Sequence, residues 1–394
     1  MKNRIQDMDV KGKKVLLRCD FNVPVKDGKI LDDGKIIASL RTINHLIKEG
    51  AKIIILSHFG KVKTAEDKAK NTLAPIAERL QELVDSKVVF CKQTRSLYIE
   101  TKIENMKPGE IMLLENTRHE DIPNKLESGN DVQLAMYWAG LADIFCLDAF
   151  GSSHRKHAST YGVAKYLPSC VGFLVQQETE ALDKYVLNAE KPFTILMGGA
   201  KVEDKVELIE VLLPKCDHLL LTGGIANSCL HILGFNVGNS LRTKDEEMME
   251  RIKKLLVQNK DKIMLPVDAV VGRDYNPDYV EHIGIAKVEE DDCIYDIGVK
   301  TINKFKEVID KSATIFINGT AGKYEDSKYA TGTRELLTYI SNSKCTKIVG
   351  GGDGVSAVKF FKLGEKYDHL STGGGATLEY IVNEGLPCID NIIK

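Results

Sequence analysis

The sequence predicts an α/β protein built as two doubly wound, parallel-sheet (Rossmann-like) domains joined by a hinge helix. Three observations carry this reading. Apolar, β-branched runs alternate with amphipathic helical patterns along almost the whole chain, and strands alternating with helices call for a parallel sheet covered on both faces. A length of 394 residues exceeds one ordinary compact core, so two domains are expected. Near the middle, the polar and charged stretch QQETEALDKYVLNAEKP interrupts the rhythm before it resumes after Pro192.

In the first half, KKVLLRCDF, AKIIILSHFG, KVVFC, EIMLLENTR and DIFCLDAFG read as buried strands. Between them, SLRTINHLIKEG and TLAPIAERLQELVD repeat apolar residues at helical spacing. In the former, Ser39 is expected to cap the helix start and Gly50 its end. In the interrupting stretch, Leu182, Tyr185 and Leu187 make an amphipathic linking helix the expectation. The second half restarts with FTILMGGAK, HLLLTGGIA, KIMLPVDAVVG, ATIFINGT, TKIVGGGD and HLSTGGGA, each read as a strand. No fixed repeat period and no low-complexity tract is present.

Composition excludes several classes. A net charge of -2 gives no global attraction to nucleic acid or to an acidic membrane, so any anion site must be local. The N-terminal stretch lacks a secretory h-region, and no run approaches the roughly 18–20 apolar residues of a membrane span. Nine scattered cysteines without a C-x-x-C pair indicate neither a disulfide framework nor a zinc site, and suit a reducing cytoplasm.

Four runs of the second half end in glycine clusters: Gly198–Gly199, Gly223–Gly224, Gly350–Gly352 and Gly373–Gly375. In open parallel sheets, ligands sit beyond the carboxyl ends of the strands, where glycine admits a phosphate or a base to the backbone. A Walker loop is absent, since GTAGKYED has too short a loop and a tyrosine after its lysine; VGGGDGVSAV is no G-x-G-x-x-G. What remains is a mononucleotide held by several separate glycine turns. Lys201 and Lys205, four residues apart, are expected on one helix face beside an anion, as an alternative to a solvated cationic edge. Asp353, after the triple glycine, suits either Mg²⁺ held against nucleotide phosphates or a helix cap.

The strand ends of the first half carry a different set: Arg18, Asp20, Asn22, His58, Lys61, Arg118, His154 and Arg155. Converging at one sheet edge, they would make a pocket for a small, highly anionic molecule. An anion pocket on one domain and a mononucleotide site on the other invite phosphoryl transfer with hinge closure.

At these residues the chain resembles the phosphoglycerate kinase family over essentially its whole length and in the same order. The resemblance rests on RCDFNVP, SHFGK, LLENTR, LDAFGSSHRKHAS, GGAKVEDK, LTGGIA, LPVDAVV, DIGVKT, NGTAG, IVGGGD and STGGGATLE. It implies reversible phosphoryl transfer between 1,3-bisphosphoglycerate and ADP, giving 3-phosphoglycerate and ATP, with Mg²⁺, in a cytoplasmic monomer. It matches Arg18, Asp20, Asn22, His58, Arg118 and Arg155 to phosphoglycerate binding, with His154 beside them. It matches Lys201 to the transferring phosphates and Lys205 and Asn318 to the nucleotide phosphates. Gly223 and Gly224 match the adenine-side turn, with Gly199 and Gly352 in neighbouring glycine turns, and Glu325 matches the ribose carboxylate. Asp353 matches the magnesium residue, and Gly373 and Gly374 the turn facing the transferred group. It also implies domains at 1–170 and 191–375, a linking helix at 171–190, and a segment from 376 to 394 returning to the first domain.

The chain departs from the family pattern at Lys35, where the family has an arginine held to stabilise the moving phosphoryl group, and at Lys61–Val62, where it has Arg-Pro. Lysine keeps the charge and loses the planar fork. One lost charged hydrogen bond, worth roughly 1.5–3 kcal/mol, would slow transfer about ten- to a hundred-fold. Val299 replaces a proline, Gly354 a hydroxyl residue, and NGTAGKYED departs from Asn-Gly-Pro-x-Gly. Two other functions stay open at this stage: a nucleotide- and anion-binding module with little turnover, and a kinase acting on another carboxylate.

Overall fold

The computed structural model describes residues 3–393. They form two compact units, one of residues 3–180 with 385–393 and one of residues 181–384.

The first unit contains β1 (Lys14–Cys19), the short hairpin β2 (Val25–Lys26) and β3 (Lys29–Ile30), β4 (Lys52–Leu56), β5 (Val88–Cys91), β6 (Ile111–Leu114), β7 (Ile144–Asp148) and β8 (Ser169–Val171). Six of them make a parallel sheet in the order β5-β6-β4-β1-β7-β8. The chain leaves β1 first to one side and then to the other, so the strand order reverses there and opens a crevice at the carboxyl ends. Ile53, Ile54, Ile55 and Leu56 of β4 are all fully buried, because helices cover both faces of a parallel sheet.

The helix Gly34–Lys48 begins five residues before Ser39. Ser39 is therefore no cap: it is buried within the helix, and its hydroxyl donates back to the Lys35 carbonyl at 3.3 Å. An uncapped start is compatible with this helix because its apolar face, Ile36, Ile43 and Leu46, is fully buried. Gly50 does end it, with φ +73°.

The second unit repeats the plan. Its strands are β9 (Phe193–Met197), β10 (His218–Leu221), β11 (Ile263–Met264), β12 (Asp268–Arg273), β13 (Asn276–Gly284), β14 (Cys293–Ile297), β15 (Thr314–Asn318), β16 (Thr346–Gly350) and β17 (His369–Leu370). A six-stranded parallel sheet runs β11-β10-β9-β15-β16-β17, with its reversal at β9.

Two features differ from the sequence reading. KIMLPVDAVVG is not one strand: β11 ends at Met264, and β12 belongs to a separate antiparallel sheet, β13-β12-β14. Pro266, which has no N–H for a ladder, lies between the two pieces. The last element of the second unit is the helix Gly375–Asn383, and the first unit regains the chain at Gly385, one helix later than the resemblance implies. The helix Pro387–Ile393 is then tied within the first unit. The Cys388 N–H donates to the Ser153 carbonyl at 3.2 Å, and the Asn3 amide donates to the Ile392 carbonyl at 2.9 Å. The middle stretch is helical from Phe173 to Leu182 and continues as a π-helical turn over Asp183–Leu187.

Candidate active site

In the first unit, a cavity of about 130 Å³ lies at the carboxyl ends of β1, β4, β6 and β7, lined by Asp20, Asn22, Lys35, His58, Arg118, His154 and Arg155. Gly151, Ser152 and His157 complete it. Seven of the nominated residues therefore converge. Lys61 is exposed and lines no part of this cavity, and Arg18 lies beneath it, fully buried.

Arg18 is held on every side. Its Nε donates to the Ser159 hydroxyl at 2.9 Å, a second nitrogen donates to the Cys19 carbonyl, and the third reaches His58 Nδ1 at 3.2 Å. Ser159 in turn donates to the buried Glu127 at 2.5 Å, so the buried guanidinium has a carboxylate close behind its hydroxyl partner. Because Nδ1 of His58 faces a donor, it accepts, and the proton of the neutral ring lies on Nε2. Burial, followed by Arg18 and Arg118 against the opposing pull of Asp20, takes the His58 pKa down to about 3. His157 is likewise held at about 3, by burial and then by Arg118, Arg18 and Arg155. Burial, then Arg155, lowers His154 as well. The rings are thus neutral in a cationic pocket, and an anion would raise their basicity.

Lys35 enters from the first turn of the helix Gly34–Lys48, and its ammonium donates to Asp20 at 2.9 Å. Burial pushes the Asp20 carboxyl up, yet Lys35, His58 and Arg18 together outweigh it and hold the pKa at about 2. Arg118 pairs with Asp121 at 3.2 Å. It is aimed by Asn116, whose carbonyl oxygen accepts from the N–H groups of Phe59 and Arg118, both at 3.0 Å, and whose amide donates to the carbonyls of Phe59 and Asn71. One buried asparagine therefore locks the loop after β4 to the loop after β6. Arg118 Nε and the Thr117 hydroxyl are buried without a hydrogen-bond partner among the described residues. Orphaned donors beside such a cavity fit a site built for an acceptor-rich ligand.

In the second unit, a cavity of about 580 Å³ is lined by Gly199, Gly223, Gly224, Glu325 and Asp353, together with Ala321, Lys323, Tyr324, Asn227, Leu230, Ile285, Asp274 and Tyr295. Its floor is three interlocked turns. Gly199 N–H donates to the Thr320 carbonyl at 2.9 Å, and Gly224 N–H donates to the Gly199 carbonyl at 3.0 Å. Gly223 has φ +59°, and a Cβ there would stand 2.8 Å from both the nitrogen and the oxygen of Gly199. Only glycine permits that approach.

Lys201 and Lys205 do not share a helix face. Lys201 is exposed in the turn before the helix Glu203–Leu212, whereas Lys205 is buried on that helix and donates to the Asn318 side-chain carbonyl. Asn318, also buried, donates its amide to the Gly350 carbonyl at 2.8 Å, which joins the ends of β15 and β16. Burial lowers the Lys205 pKa to about 8 against the pull of Asp353 and Asp204. Asp353 is not the N-cap: Gly351 holds that position, and Asp353 stands exposed in the first turn of the helix Gly352–Phe360. Gly374, with φ +56°, is the N-cap of the helix Gly375–Asn383 and, with Gly373, lies outside the cavity lining.

Comparison with known proteins agrees with this architecture. The family model described as phosphoglycerate kinase matches residues 5–384. The phosphoglycerate kinase of Lacticaseibacillus casei is 45% identical over 387 residues, covering 98% of this chain and 97% of that protein. That of Macrococcus caseolyticus is 43% identical, covering 100% and 99%. The chain belongs to the phosphoglycerate kinase family. The solved phosphoglycerate kinases of Coxiella burnetii and Pyrococcus horikoshii are similar in structure, with TM-scores of 0.86 and 0.84 at 34% and 31% identity. Each structural match covers 99% of this chain and 98% of the other.

The sequence reading missed the lining residues Ser152 and His157, although both sit in the quoted SSHRKHAS stretch. It also missed Glu127 and Ser159, which carry Arg18; only the tertiary fold brings them under β1. In the second unit it missed Asp274 and Tyr295, because it did not see the antiparallel sheet that supplies them. Gly354, the hydroxyl departure, packs tightly: a Cβ there would lie 3.0 Å from Val349 Cγ1.

Proposed function

We propose that this chain is a phosphoglycerate kinase, exchanging a phosphoryl group between 1,3-bisphosphoglycerate and ADP to give 3-phosphoglycerate and ATP. The observation that carries the reading is the convergence of Lys35, His58, Arg118, His154 and Arg155 on one small cavity of the first unit. Relatives named for this activity, 43–45% identical over nearly the whole chain, support it, and they do not favour the alternative of a binding module with little turnover.

Arg118 and Arg155 hold the phosphate of 3-phosphoglycerate, with His58 Nε2–H as a neutral donor and His154 beside them, its Nε2 accepting from Arg155 Nε at 2.9 Å. Lys35, resting on Asp20, places its charge toward the carboxylate that attacks. The nucleotide lies in the second-unit cavity, its base against the Gly223–Gly224 turn and its ribose on Glu325, with Lys205 and Lys201 on the phosphates. Asn318 keeps Lys205 extended until the phosphates arrive. The Gly373–Gly374 turn sets the N-terminus of the helix Gly375–Asn383 toward the transferred group.

A magnesium ion fits this site. Asp353 lines the nucleotide cavity as an exposed carboxylate, and no group of three or more acidic, histidine or cysteine side chains among the described residues forms a dedicated metal cage. Magnesium takes one or two carboxylates and completes its shell with phosphate oxygens and water. When bound it neutralises charge on the nucleotide phosphates. The helical segment 173–187 is assigned as the hinge, and the protein as a cytoplasmic monomer. All nine cysteines are free and buried, which suits a reducing compartment. No helix among the described residues is long and apolar enough to cross a membrane.

The test is a coupled assay with Mg-ATP and 3-phosphoglycerate. Turnover of roughly 10 per second or more is expected. Nucleotide binding without turnover, or transfer to a different carboxylate only, would overturn the assignment.

A further inference from the structure

The nucleotide cavity holds a cation that the phosphate-binding reading does not use. Lys323 lines it, and the ammonium lies 5.4 Å from the centroid of the Tyr295 ring. The Lys323 backbone N–H donates to the Tyr295 carbonyl at 2.9 Å, so this residue is fixed to the wall by its main chain. The Tyr295 hydroxyl donates to Asp274, another lining residue. No carboxylate or hydrogen-bond acceptor pairs with the Lys323 ammonium among the described residues; the Tyr295 ring is its neighbour. One wall therefore carries a free donor and a carboxylate, joined through one tyrosine.

We propose that Lys323 selects the base of the nucleotide, and that this site prefers a 6-oxopurine (guanine or hypoxanthine) to adenine. The inference rests on the functional reading above, which puts the ribose on Glu325. Lys323 is two residues before Glu325, so their Cα atoms lie within about 7 Å along the chain. A base attached to that ribose comes within reach of a lysine side chain. A 6-oxopurine presents two adjacent acceptors, O6 and N7, to an ammonium donor. Adenine sets an amino group where O6 would be, so the same ammonium meets N–H hydrogens. Guanine adds N–H donors on its other edge, for which Asp274 is an acceptor. The apolar residues Leu230, Ile285 and Ala321 accept the face of any purine and do not discriminate.

A well-made contact of this type changes selectivity by about tenfold or more. The experiment compares kcat/KM for Mg-GTP and Mg-ATP with 3-phosphoglycerate, and equilibrium binding of GDP and ADP, for the full chain and for Lys323→Val and Lys323→Arg. Lys323 is exposed, so both variants are expected to fold. GTP is expected to serve better than ATP. Lys323→Val should lower the GTP/ATP ratio about tenfold, whereas Lys323→Arg keeps it. A wild-type preference for ATP, or a ratio that Lys323→Val leaves unmoved, overturns the proposal. Absence of turnover with either nucleotide would overturn the kinase reading instead, and the GDP/ADP binding ratio would still decide the role of Lys323.

Discussion

Replacing Lys205 by methionine removes a buried ammonium whose proton is held weakly, and the consequence is measurable as protons rather than as rate. In the free protein, burial brings the Lys205 pKa from 10.5 to about 8. A nucleotide's phosphates, arriving within hydrogen-bond distance, favour the charged form and return it towards its ordinary value. At pH 8 the free lysine is about half protonated, and at pH 9 about one tenth. Binding is then expected to take up about 0.5 proton at pH 8 and about 0.9 at pH 9, falling to nearly none at pH 7. The sign also fixes stability. The unfolded chain binds this proton up to pH 10.5 and the folded one only to about 8, so this group makes the free protein more stable as pH rises between those values. Isothermal titration of ADP in two buffers of different ionisation enthalpy reads the uptake directly. Lys205→Met should abolish it while leaving 3-phosphoglycerate binding intact. A buffer-independent binding enthalpy at pH 9 in the wild-type protein would refute the argument, as would uptake that persists in Lys205→Met.

Further outcomes follow from the same contacts. Lys35→Arg is expected to preserve or raise kcat, whereas Lys35→Met lowers it roughly ten- to a hundred-fold, because one charged hydrogen bond is lost and the buried Asp20 loses its main partner; a large loss in Lys35→Arg would show a pocket rebuilt around lysine. Gly223→Ala should destabilise the protein by about 2–4 kcal/mol in urea titrations followed by circular dichroism, through its positive φ and the contact with Gly199. A midpoint unchanged from wild type would mean that the turn yields without cost. Acid should weaken the first unit as pH falls from 6.5 towards 3, because the unfolded chain protonates His58 and His157 there and the folded one does not. Asp20 contributes stability that is fully present above its ordinary 3.8 and is lost progressively as pH falls from there through about 2. The single, fully buried Trp138 reports the transition by fluorescence, and His157→Gln should flatten its slope between pH 6.5 and 3.

Much of this molecule is written locally. A strand of a parallel sheet buried on both faces must be apolar at every position, so runs such as Ile53–Leu56 announce themselves, and their ends announce where a ligand sits. The glycine turns are equally legible, since a positive φ or a backbone contact like that of Gly223 leaves no other residue. Those two constraints were enough to place Asp20, His58, Arg118 and Arg155 at one edge and Gly199, Gly223 and Asp353 at another.

The sequence by itself determined the fold class and the strand ends that carry the candidate site residues. Tertiary structure alone decided what each charged side chain does there. Whether a lysine is a solvated cation or a buried, weakly basic one depends on what surrounds it in space, and four residues of spacing could not separate Lys201 from Lys205. The same holds for Arg18, whose commitment to Ser159 and His58 takes it out of the cavity lining. The short antiparallel sheet was hidden for a related reason: β13 is exposed or half-buried along its length, so no apolar run marks it. Burial and partnership are properties of packed neighbours, and neighbours distant in sequence are set only when the sheets have formed.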